Sequence, residues 1–401
     1  MNYLFGEYLL DTDKRELRRG AHPIAIEPQV FDLLVYMIEN RERVVSKDRL
    51  LESVWNGRIV SESTLDSRIH AARRAIGDTG ATQTLIRTAY RKGVRFIGAV
   101  EEVDRPPARE DPPRAGPKAA APSLRQDIHF CTTSDGVRIA YAVAGQGPTL
   151  VRAAHWLNHL EYDWESPIMS PALREFAAGR RFVRYDGRGN GLSDWDVSDI
   201  SFDGFVRDLE TVVEVGGLER FALLGMSQGS AISIAYAARC PQRVTHLIIY
   251  GGYARGRRRR AAPQDLEHVD AMVTLMRQGW GQDNPAFRQL WTSLFMPGAT
   301  PEQMQWFNNL QRITTSPENA IRMRRAMDDI DVTALLPQVT VPTLVLHHRG
   351  DAVAPFEEGR RLAAGIRGAR FVALPDGHHV FRPGDPTWDR IFDEVNRFLR
   401  S

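Results

Sequence analysis

The stretch Phe221-Ala222-Leu223-Leu224-Gly225-Met226-Ser227-Gln228-Gly229 decides the fold of the larger part of this 401-residue chain. Its apolar run predicts a strand, and residues 230–239 predict a helix. Between them stands the pattern G-x-S-x-G, in which a serine on a sharp strand-to-helix turn projects its hydroxyl out of a sheet. Because a bare match of this kind arises by chance in roughly one chain in ten of this length, its context carries the argument.

The context is an alternation of strands and helices along residues 126–401. Predicted strands lie at 128–133, 137–144, 149–154, 181–186, 221–226, 244–250, 343–347 and 370–374. Predicted helices lie at 171–178, 202–215, 230–239, 357–366 and 388–399. Eight strands with helical crossovers predict an α/β domain with a doubly wound, mainly parallel sheet that is covered on both faces.

This part of the chain resembles the α/β-hydrolases, on the nucleophile turn and on the strand-turn at residues 183–193. In that fold the catalytic residues follow in the order serine, acid, histidine. The resemblance implies Ser227 as nucleophile, Asp351 in the loop after strand 343–347 as acid, and His378 after the last strand as base. Serine needs a histidine to take its proton, and the acid holds the imidazole in the right tautomer.

Two of these assignments have neighbours as alternatives. Asp376 is an alternative acid, but it lies on the histidine's own loop, which is the less usual arrangement. His379 is an alternative to His378, which is preferred because the family's histidine directly follows a glycine. Asp186 we interpret as structural, since it belongs to a tight turn.

The resemblance also implies an oxyanion hole made of two backbone N–H groups. Gln228, which follows the nucleophile, is expected to supply one of them. The other is expected from the loop after the third strand, from Trp156 or, as second choice, from His155. The family often has His-Gly at the position where this chain has Ala154-His155, and this departure leaves the geometry of the hole open.

A helical insertion at about 252–340 is expected to form a lid over Ser227. Its large side chains predict an apolar pocket for a hydrophobic or acyl-bearing ligand, or else simply packing of the lid onto the sheet. They are Met272, Leu275, Met276, Trp280, Trp291, Phe295, Trp306 and Phe307. The arginine run at 255–260 favours a solvated loop, with an anionic ligand or a DNA contact as the alternative.

Residues 1–100 carry a second pattern, in which short strands are followed by three helices and a hairpin. Residues 61–100 hold seven Arg or Lys against three Asp or Glu, and such a basic end suggests a polyanion partner. The pattern resembles the winged-helix DNA-binding domain of OmpR/PhoB-type regulators, most specifically at 44–55, 86–88 and 93–96. The usual receiver domain of that family is missing from the sequence.

By this resemblance the third helix enters the major groove and the hairpin contacts the backbone of double-stranded DNA. The third helix would direct one group of side chains toward bases and phosphates, and the hairpin would direct another toward phosphates. The expected DNA contacts are Ser67, Arg68, His70, Arg73 and Arg74 from the helix, and Arg87, Arg91 and Lys92 from the hairpin.

Residues 101–125 separate the two patterns with six prolines, five acids and five bases. Such a composition predicts an extended linker between a domain at 1–100 and a domain at 126–401. Cys131 and Cys240 form no metal-binding pattern, and no metal or cofactor is expected. Without a long apolar run, we expect no membrane span and a cytoplasmic location.

The two halves together predict a transcriptional regulator whose α/β-hydrolase domain senses, and slowly hydrolyses, a small hydrophobic ester- or lactone-like ligand. The alternative is a true serine esterase or lactonase that the winged helix regulates or localises. A homodimer is expected, since two tethered winged helices gain from effective concentration on DNA.

Overall fold

The computed structural model describes residues 2–12, 14–20, 22–24, 26, 28–55, 62–79, 82–89, 92–103, 124–282, 285–375 and 377–400. The side chains of residues 23, 28, 55, 62–64, 66, 67, 103 and 285 lie outside this description. The chain divides into two compact units, residues 1–118 and residues 119–401. Most of the predicted linker, residues 104–123, lies outside the described residues.

The first unit contains a five-stranded sheet and a separate hairpin. Its strands are β1 (Asn2–Phe5), β2 (Tyr8–Asp11), β3 (Glu16–Arg19), β4 (His22–Ile24), β5 (Ile86–Ala89), β6 (Gly93–Phe96) and β7 (Glu101–Val103). The sheet has the order β4-β3-β2-β1-β7, and β5 pairs with β6 in antiparallel fashion. Residues 101–103, which the sequence placed in the linker, instead pair with β1, where they satisfy backbone groups of an otherwise open sheet edge.

Three helices pack beside this sheet and the hairpin, namely α1 (Pro28–Glu39), α2 (Lys47–Trp55) and α3 (Glu62–Ala75). Apolar residues at helical spacing bury one face of each helix, including Leu34, Leu50 and Ile69. Val45, just before α2, bridges to Val94 in the hairpin. The predicted arrangement of three helices followed by a basic hairpin is therefore present.

The second unit is built on an eight-stranded sheet. Its strands are β8 (Gln126–Thr132), β9 (Arg138–Ala144), β10 (Thr149–Arg152), β11 (Arg181–Tyr185), β12 (Phe221–Met226), β13 (Val244–Tyr250), β14 (Thr343–His348) and β15 (Arg370–Leu374). Their order is β15-β14-β13-β12-β10-β11-β9-β8. Only the pairs that involve β9 are antiparallel among the described strands of this sheet. The predicted fold class is confirmed.

Helices cover both faces of this sheet and form the lid. They are α4 (Leu160–Trp164), α5 (Met169–Ala177), α6 (Phe202–Val215), α7 (Gln228–Arg239), α8 (Arg257–Arg260), α9 (Leu266–Gly279), α10 (Pro285–Phe295), α11 (Pro301–Thr314), α12 (Pro317–Asp328), α13 (Phe356–Gly365) and α14 (Trp388–Phe398). Every residue of β12 is buried, as expected for a central parallel strand. Its carboxyl end therefore delivers Ser227 at the rim of the sheet, below α8–α12.

No helix among the described residues is long and apolar enough to cross a membrane.

Candidate functional site

Ser227 lies on a strained turn between β12 and α7. Its φ of 50° and ψ of −124° are rare for a residue with a side chain, and this backbone holds the hydroxyl away from the sheet. The turn is crowded, because a Cβ added at Gly225 would lie 2.6 Å from Ser230 Cα. The Ser227 N–H donates to Tyr250 O at 3.1 Å, which fixes the turn to β13.

Asp351 is held in the loop after β14 by several hydrogen bonds. Its Oδ1 accepts from the N–H groups of Val353 at 2.8 Å and Ala354 at 2.9 Å. Its Oδ2 lies 2.7 Å from His379 Nδ1. Burial by itself would raise the pKa of Asp351, but His379 and the backbone donors outweigh burial and lower the pKa below its usual value. The carboxylate is thus kept ionised beside the imidazole.

His379, and not the expected His378, is the histidine that the structure brings to Asp351. Its side chain is 3% exposed, and Nε2, the nitrogen not used by Asp351, has no hydrogen-bond partner among the described residues. His379 and Ser227 line the same cavity. One imidazole nitrogen of His379 is thus held by a carboxylate, and the other has no partner among the described residues in a side chain that lines the same cavity as Ser227.

His378 points elsewhere, which corrects the expectation for this residue. Its Nε2 lies 3.9 Å from Asp385 Oδ2, and its carbonyl accepts a hydrogen bond from the Tyr250 hydroxyl at 3.4 Å. Burial, followed by the charge of Arg382, lowers the pKa of His378. The physical reason is that adjacent side chains on one loop leave the backbone in different directions, so only one of two neighbours reaches the acid. The alternative acid Asp376 lies outside the described residues.

Two segments are expected to supply the oxyanion N–H groups, namely the start of α7 directly after Ser227 and the loop after β10. Gln228 is buried and is the first residue of α7, where backbone N–H groups lack helical partners. In the loop after β10 the His155 N–H donates to Asn158 Oδ1 at 3.3 Å. That N–H is therefore already used, which favours Trp156 over His155 as the second donor.

The loop after β10 rests on Asp186, in the turn after β11. Asn158 Nδ2 donates to Asp186 Oδ1 at 2.5 Å, and the N–H groups of Leu160 and Leu192 donate to Asp186 Oδ2 at 3.1 and 2.9 Å. Burial raises the pKa of Asp186 to about 7 against these hydrogen bonds. These contacts agree with our structural interpretation of Asp186.

His155 also lines the cavity, but it is poorly suited to act as a base. Burial, followed by the nearby charge of Arg152, lowers the pKa of His155 to about 3. Its Nδ1 is within 2.7 Å of Trp156 O. It therefore stays neutral near pH 7 with one nitrogen committed to the backbone.

The cavity above Ser227 is a cleft of ≈ 760 Å³, a volume that includes space open to solvent. Part of its wall is apolar, and of the eight lid residues singled out in the sequence two line it, Phe295 and Phe307. Trp280 and Trp291 are buried and pack against the ring of Trp156, with centroids 5.4 and 5.3 Å away. These two tryptophans thus act as core of the lid, while Trp156 itself reaches the cavity.

Another part of the cavity wall is charged. Arg257 and Arg260 of the arginine run line the cavity, together with Arg324 and Asp328 of α12. The run was expected to be a solvated loop, and this holds only for Arg258 and Arg259, which are exposed. The spacing of Arg257 and Arg260 in the sequence could have indicated that they face the same way, because residues three apart share a face of a helix. Within the described residues, no cluster of three or more His, Cys, Asp or Glu side chains could hold a metal ion.

In the first unit the structure exposes some of the predicted DNA contacts on α3 and the hairpin. His70 and Arg74 are exposed on α3, Arg68 is half-buried, and Arg87 and Lys92 are exposed on the hairpin. Two further predicted contacts, the side chain of Ser67 and residue Arg91, lie outside the described residues.

Arg73 does not belong to this exposed group, which corrects the expectation for it. It is 8% exposed, and its guanidinium donates to Ile86 O at 3.1 and 3.3 Å and to Thr88 Oγ1 at 2.8 Å. The side chain therefore ties α3 to β5 instead of reaching outward. The donors on Nε and Nη2 are thus committed to acceptors within the first unit.

Comparisons with known proteins identify both units. The family described as alpha/beta hydrolase fold matches residues 156–383, and the family described as transcriptional regulatory protein, C terminal, matches residues 21–96. The second match confirms the resemblance to the OmpR/PhoB-type winged helix.

Individual relatives are similar over the second unit. AB hydrolase superfamily protein YisY of Bacillus subtilis (strain 168) is 30% identical over 260 residues, which are 63% of this chain and 93% of that protein. Pyrrolizixenacetamide deacetylase of Xenorhabdus hominickii is 25% identical over 256 residues, which are 61% of this chain and 90% of that protein. The structure of an esterase from Exiguobacterium antarcticum matches with a TM-score of 0.57 at 25% identity, and covers 68% of this chain and 99% of that one. The chain belongs to the α/β-hydrolase fold family, and it carries in addition a winged-helix domain of the transcriptional-regulator type.

Proposed function

We propose that this protein is a DNA-binding transcriptional regulator whose α/β-hydrolase domain binds, and slowly hydrolyses, a small ester- or lactone-like ligand with an apolar part. The observation that carries the proposal is the hydrogen-bonded His379–Asp351 pair, whose histidine lines one cavity with Ser227 in a chain that also has a winged helix. The similar proteins include a protein named as a deacetylase and an esterase of known structure, which supports cleavage of an acyl bond.

The residues have separate roles in the proposed hydrolysis. Ser227 Oγ attacks the ester carbonyl while His379 Nε2 takes its proton, and Asp351 stabilises the imidazolium that forms. The N–H groups of Gln228 and Trp156 stabilise the oxyanion. His379 then gives the proton to the leaving alkoxide, and the resulting acyl-serine is cleaved by a water whose proton His379 accepts. His379 returns that proton to Ser227 Oγ as the acyl group leaves. An ester gives an alcohol and a carboxylate, and a lactone gives a single hydroxy acid.

Regulation is proposed to follow from occupancy of the cavity. The lid helices α10 and α11 supply Phe295 and Phe307 to the cavity wall, so a bound ligand contacts elements that belong to no part of the central sheet. A ligand that favours one arrangement of the lid shifts the protein toward that arrangement. We propose that this change alters DNA affinity, and that the protein binds DNA as a homodimer.

A fluorophosphonate probe tests the catalytic part, because it labels activated serines without a guess about substrate. Wild type should be labelled, and Ser227→Ala should not. Absence of labelling in folded wild-type protein would contradict an assembled catalytic serine. Gel filtration with and without DNA tests the dimer, and a strict monomer under both conditions would contradict it.

The same adduct tests the sensor part. Binding sites are first selected from a pool of random-sequence DNA duplexes. The affinity for these sites is then measured for unlabelled protein and for protein that carries the phosphonyl group on Ser227. A several-fold difference in affinity supports a regulator that senses occupancy. Equal affinities together with rapid ester turnover would favour the alternative, a serine esterase or lactonase that the winged helix only localises. The observation that favours this alternative is again the His379–Asp351 pair, whose histidine lines the cavity with Ser227.

A further inference from the structure

The charged part of the cavity wall carries an inference about the ligand. Three arginines line it, Arg257 and Arg260 from α8 and Arg324 from α12, together with one carboxylate, Asp328. Three positive charges against one negative charge leave an excess of two positive charges at this wall. A pocket that was built for a purely neutral ligand would bury such an excess at a cost.

The single carboxylate is already used by one of the arginines. Arg324 Nε donates to Asp328 Oδ2 at 2.9 Å, and Nη2 lies 2.9 Å from Asp328 Oδ1. This ion pair is buried, with side chains 4% and 5% exposed. Asp328 therefore neutralises Arg324, and the charges of the other two arginines are not balanced by it.

Arg257 and Arg260 have no carboxylate within ion-pair distance among the described residues. Arg260 Nη1 donates to Arg255 O at 2.9 Å, and its guanidinium lies 5.7 Å from the centre of the Tyr253 ring. Burial, followed by the charge of Arg324, lowers the pKa of Arg257 to about 10. Arg257 thus remains charged near pH 7 while half-buried and without an acid partner.

The neighbours in the same run show a contrast. Arg258 pairs with Asp270, and Arg259 Nε lies 3.9 Å from Asp329 Oδ1. Both are exposed arginines with acid partners on the lid surface. The four arginines of the one-turn helix α8 therefore form two pairs. Arg258 and Arg259 face outward and have acid partners. Arg257 and Arg260, three residues apart, face the cavity and have no acid partner among the described residues.

The backbone fixes this orientation. The Gly256 N–H donates to Ile330 O at 2.7 Å, and a Cβ added at Gly256 would lie 2.2 Å from Met327 O. Only glycine allows the start of α8 to approach the end of α12 so closely. This contact brings Arg257 and Arg260 to the wall that also holds Arg324.

We propose that Arg257 and Arg260, beside the buried Arg324–Asp328 pair, form a subsite for a carboxylate on the ligand, so that the ligand is an ester or lactone that bears a separate anionic group. Its apolar part lies along Phe295 and Phe307, and its reactive carbonyl reaches Ser227. Arginine forks recognise carboxylates by paired hydrogen bonds. The inference rests on the proposed function only for the reactive carbonyl, since binding of the anion requires no hydrolysis.

Two esters of equal acyl length test the subsite, 4-nitrophenyl pentanoate and mono-4-nitrophenyl glutarate, which differ in a terminal methyl against a carboxylate. Wild type should favour the glutarate in kcat/KM. Arg257→Met and Arg260→Met should each lower the glutarate-to-pentanoate ratio by about tenfold, as loss of a charged hydrogen bond predicts. Arg258→Met and Arg259→Met are the matched controls from the same helix and should keep the wild-type ratio. Equal ratios in all five proteins would overturn the subsite.

A binding measurement separates failure of the subsite from failure of hydrolysis. Calorimetry on full-length Ser227→Ala compares octanoate with octanamide, with Arg257 intact or replaced by Met. Octanoate binding that depends on Arg257 supports the subsite even if neither ester is cleaved, in which case only the hydrolytic part of the proposed function falls. Octanoate binding that Arg257→Met leaves unchanged would overturn the subsite even if both esters are cleaved.

Discussion

His379 Nδ1 lies 2.7 Å from Asp351 Oδ2, whereas the neighbouring His378 lies 3.9 Å from the carboxylate of Asp385. Two adjacent histidines on one loop thus have different acid partners. Of these two histidines, His379 and not His378 lines the cavity with Ser227. The proposed chemistry therefore depends on the second histidine of the pair and not on the one that directly follows glycine.

Replacement of the two histidines should have opposite outcomes. We expect His379→Asn to lower the rate of fluorophosphonate labelling by at least about a hundredfold, because general-base catalysis contributes roughly 10²–10⁴-fold. His378→Asn serves as the control and should be labelled at a rate within a few-fold of wild type. Labelling that survives in His379→Asn and is lost in His378→Asn would restore the sequence-based assignment.

Arg73→Ala should act on the winged helix through stability and not through phosphate contact. Its guanidinium satisfies Ile86 O and Thr88 Oγ1, so we expect loss of about 1–3 kcal/mol in the free energy of unfolding of the first unit. The slope of log affinity for DNA against log salt should stay as in wild type.

Arg74→Ala and Arg87→Ala are the comparison, since both side chains are exposed. For a phosphate contact, the salt slope should fall by about 0.9 for each arginine removed. Titrations of fluorescent duplex at several salt concentrations measure the slopes. A reduced slope in Arg73→Ala alone would show that the buried interpretation of Arg73 is incorrect.

Asp78 should make the first unit acid-sensitive. Burial alone would raise the pKa of Asp78, but hydrogen bonds from the backbone N–H groups of residues 79 and 84–86 outweigh it and hold the pKa well below its usual range. A pKa lowered by folding means that the carboxylate stabilises the folded state fully above its unfolded pKa of about 3.9. This contribution is lost as the pH falls below about 4 toward the folded pKa.

Hydrogen exchange measured by mass spectrometry on peptides that cover residues 82–89 tests this expectation. At pH 7, Asp78→Asn should lose about 2 kcal/mol of protection in these peptides, since hydrogen bonds to a charged group are replaced by weaker ones. The difference between wild type and Asp78→Asn should shrink below about pH 4, after correction for intrinsic exchange. A difference that grows toward acid pH would contradict the lowered pKa.

Gly225→Ala should disrupt the nucleophile turn, because the new Cβ meets the backbone of Ser230 at 2.6 Å and of Gly229 at 2.8 Å. Backbone atoms of a helix start cannot move aside without shifting Ser227. We expect a lower melting temperature and loss of fluorophosphonate labelling. Ser227→Ala is the control, since it should lose labelling while it keeps the melting temperature close to that of wild type. Normal labelling of Gly225→Ala would argue against the crowded turn.

The sequence by itself determined both domain types and the position of the nucleophile turn. Short apolar runs such as 221–226, bounded by turn residues, indicate buried strands, and the helical periods between them indicate crossovers. The order of chain elements then places Ser227 and Asp351 at the carboxyl ends of β12 and β14 in the same sheet. These features depend on local sequence pattern and on the order of the elements, and both can be read from the sequence.

Only the tertiary structure decided which of several equivalent side chains faces which partner. His378 and His379 are one residue apart, Arg73 and Arg74 likewise, and Arg257–Arg260 are four identical residues. Composition cannot rank such neighbours, because burial and partner are set by contacts with distant segments. Asp351 lies within hydrogen-bond distance of His379, and the carbonyl of Ile86 accepts a hydrogen bond from Arg73. The close approach of Gly256 to α12 places Arg257 and Arg260 at the cavity wall.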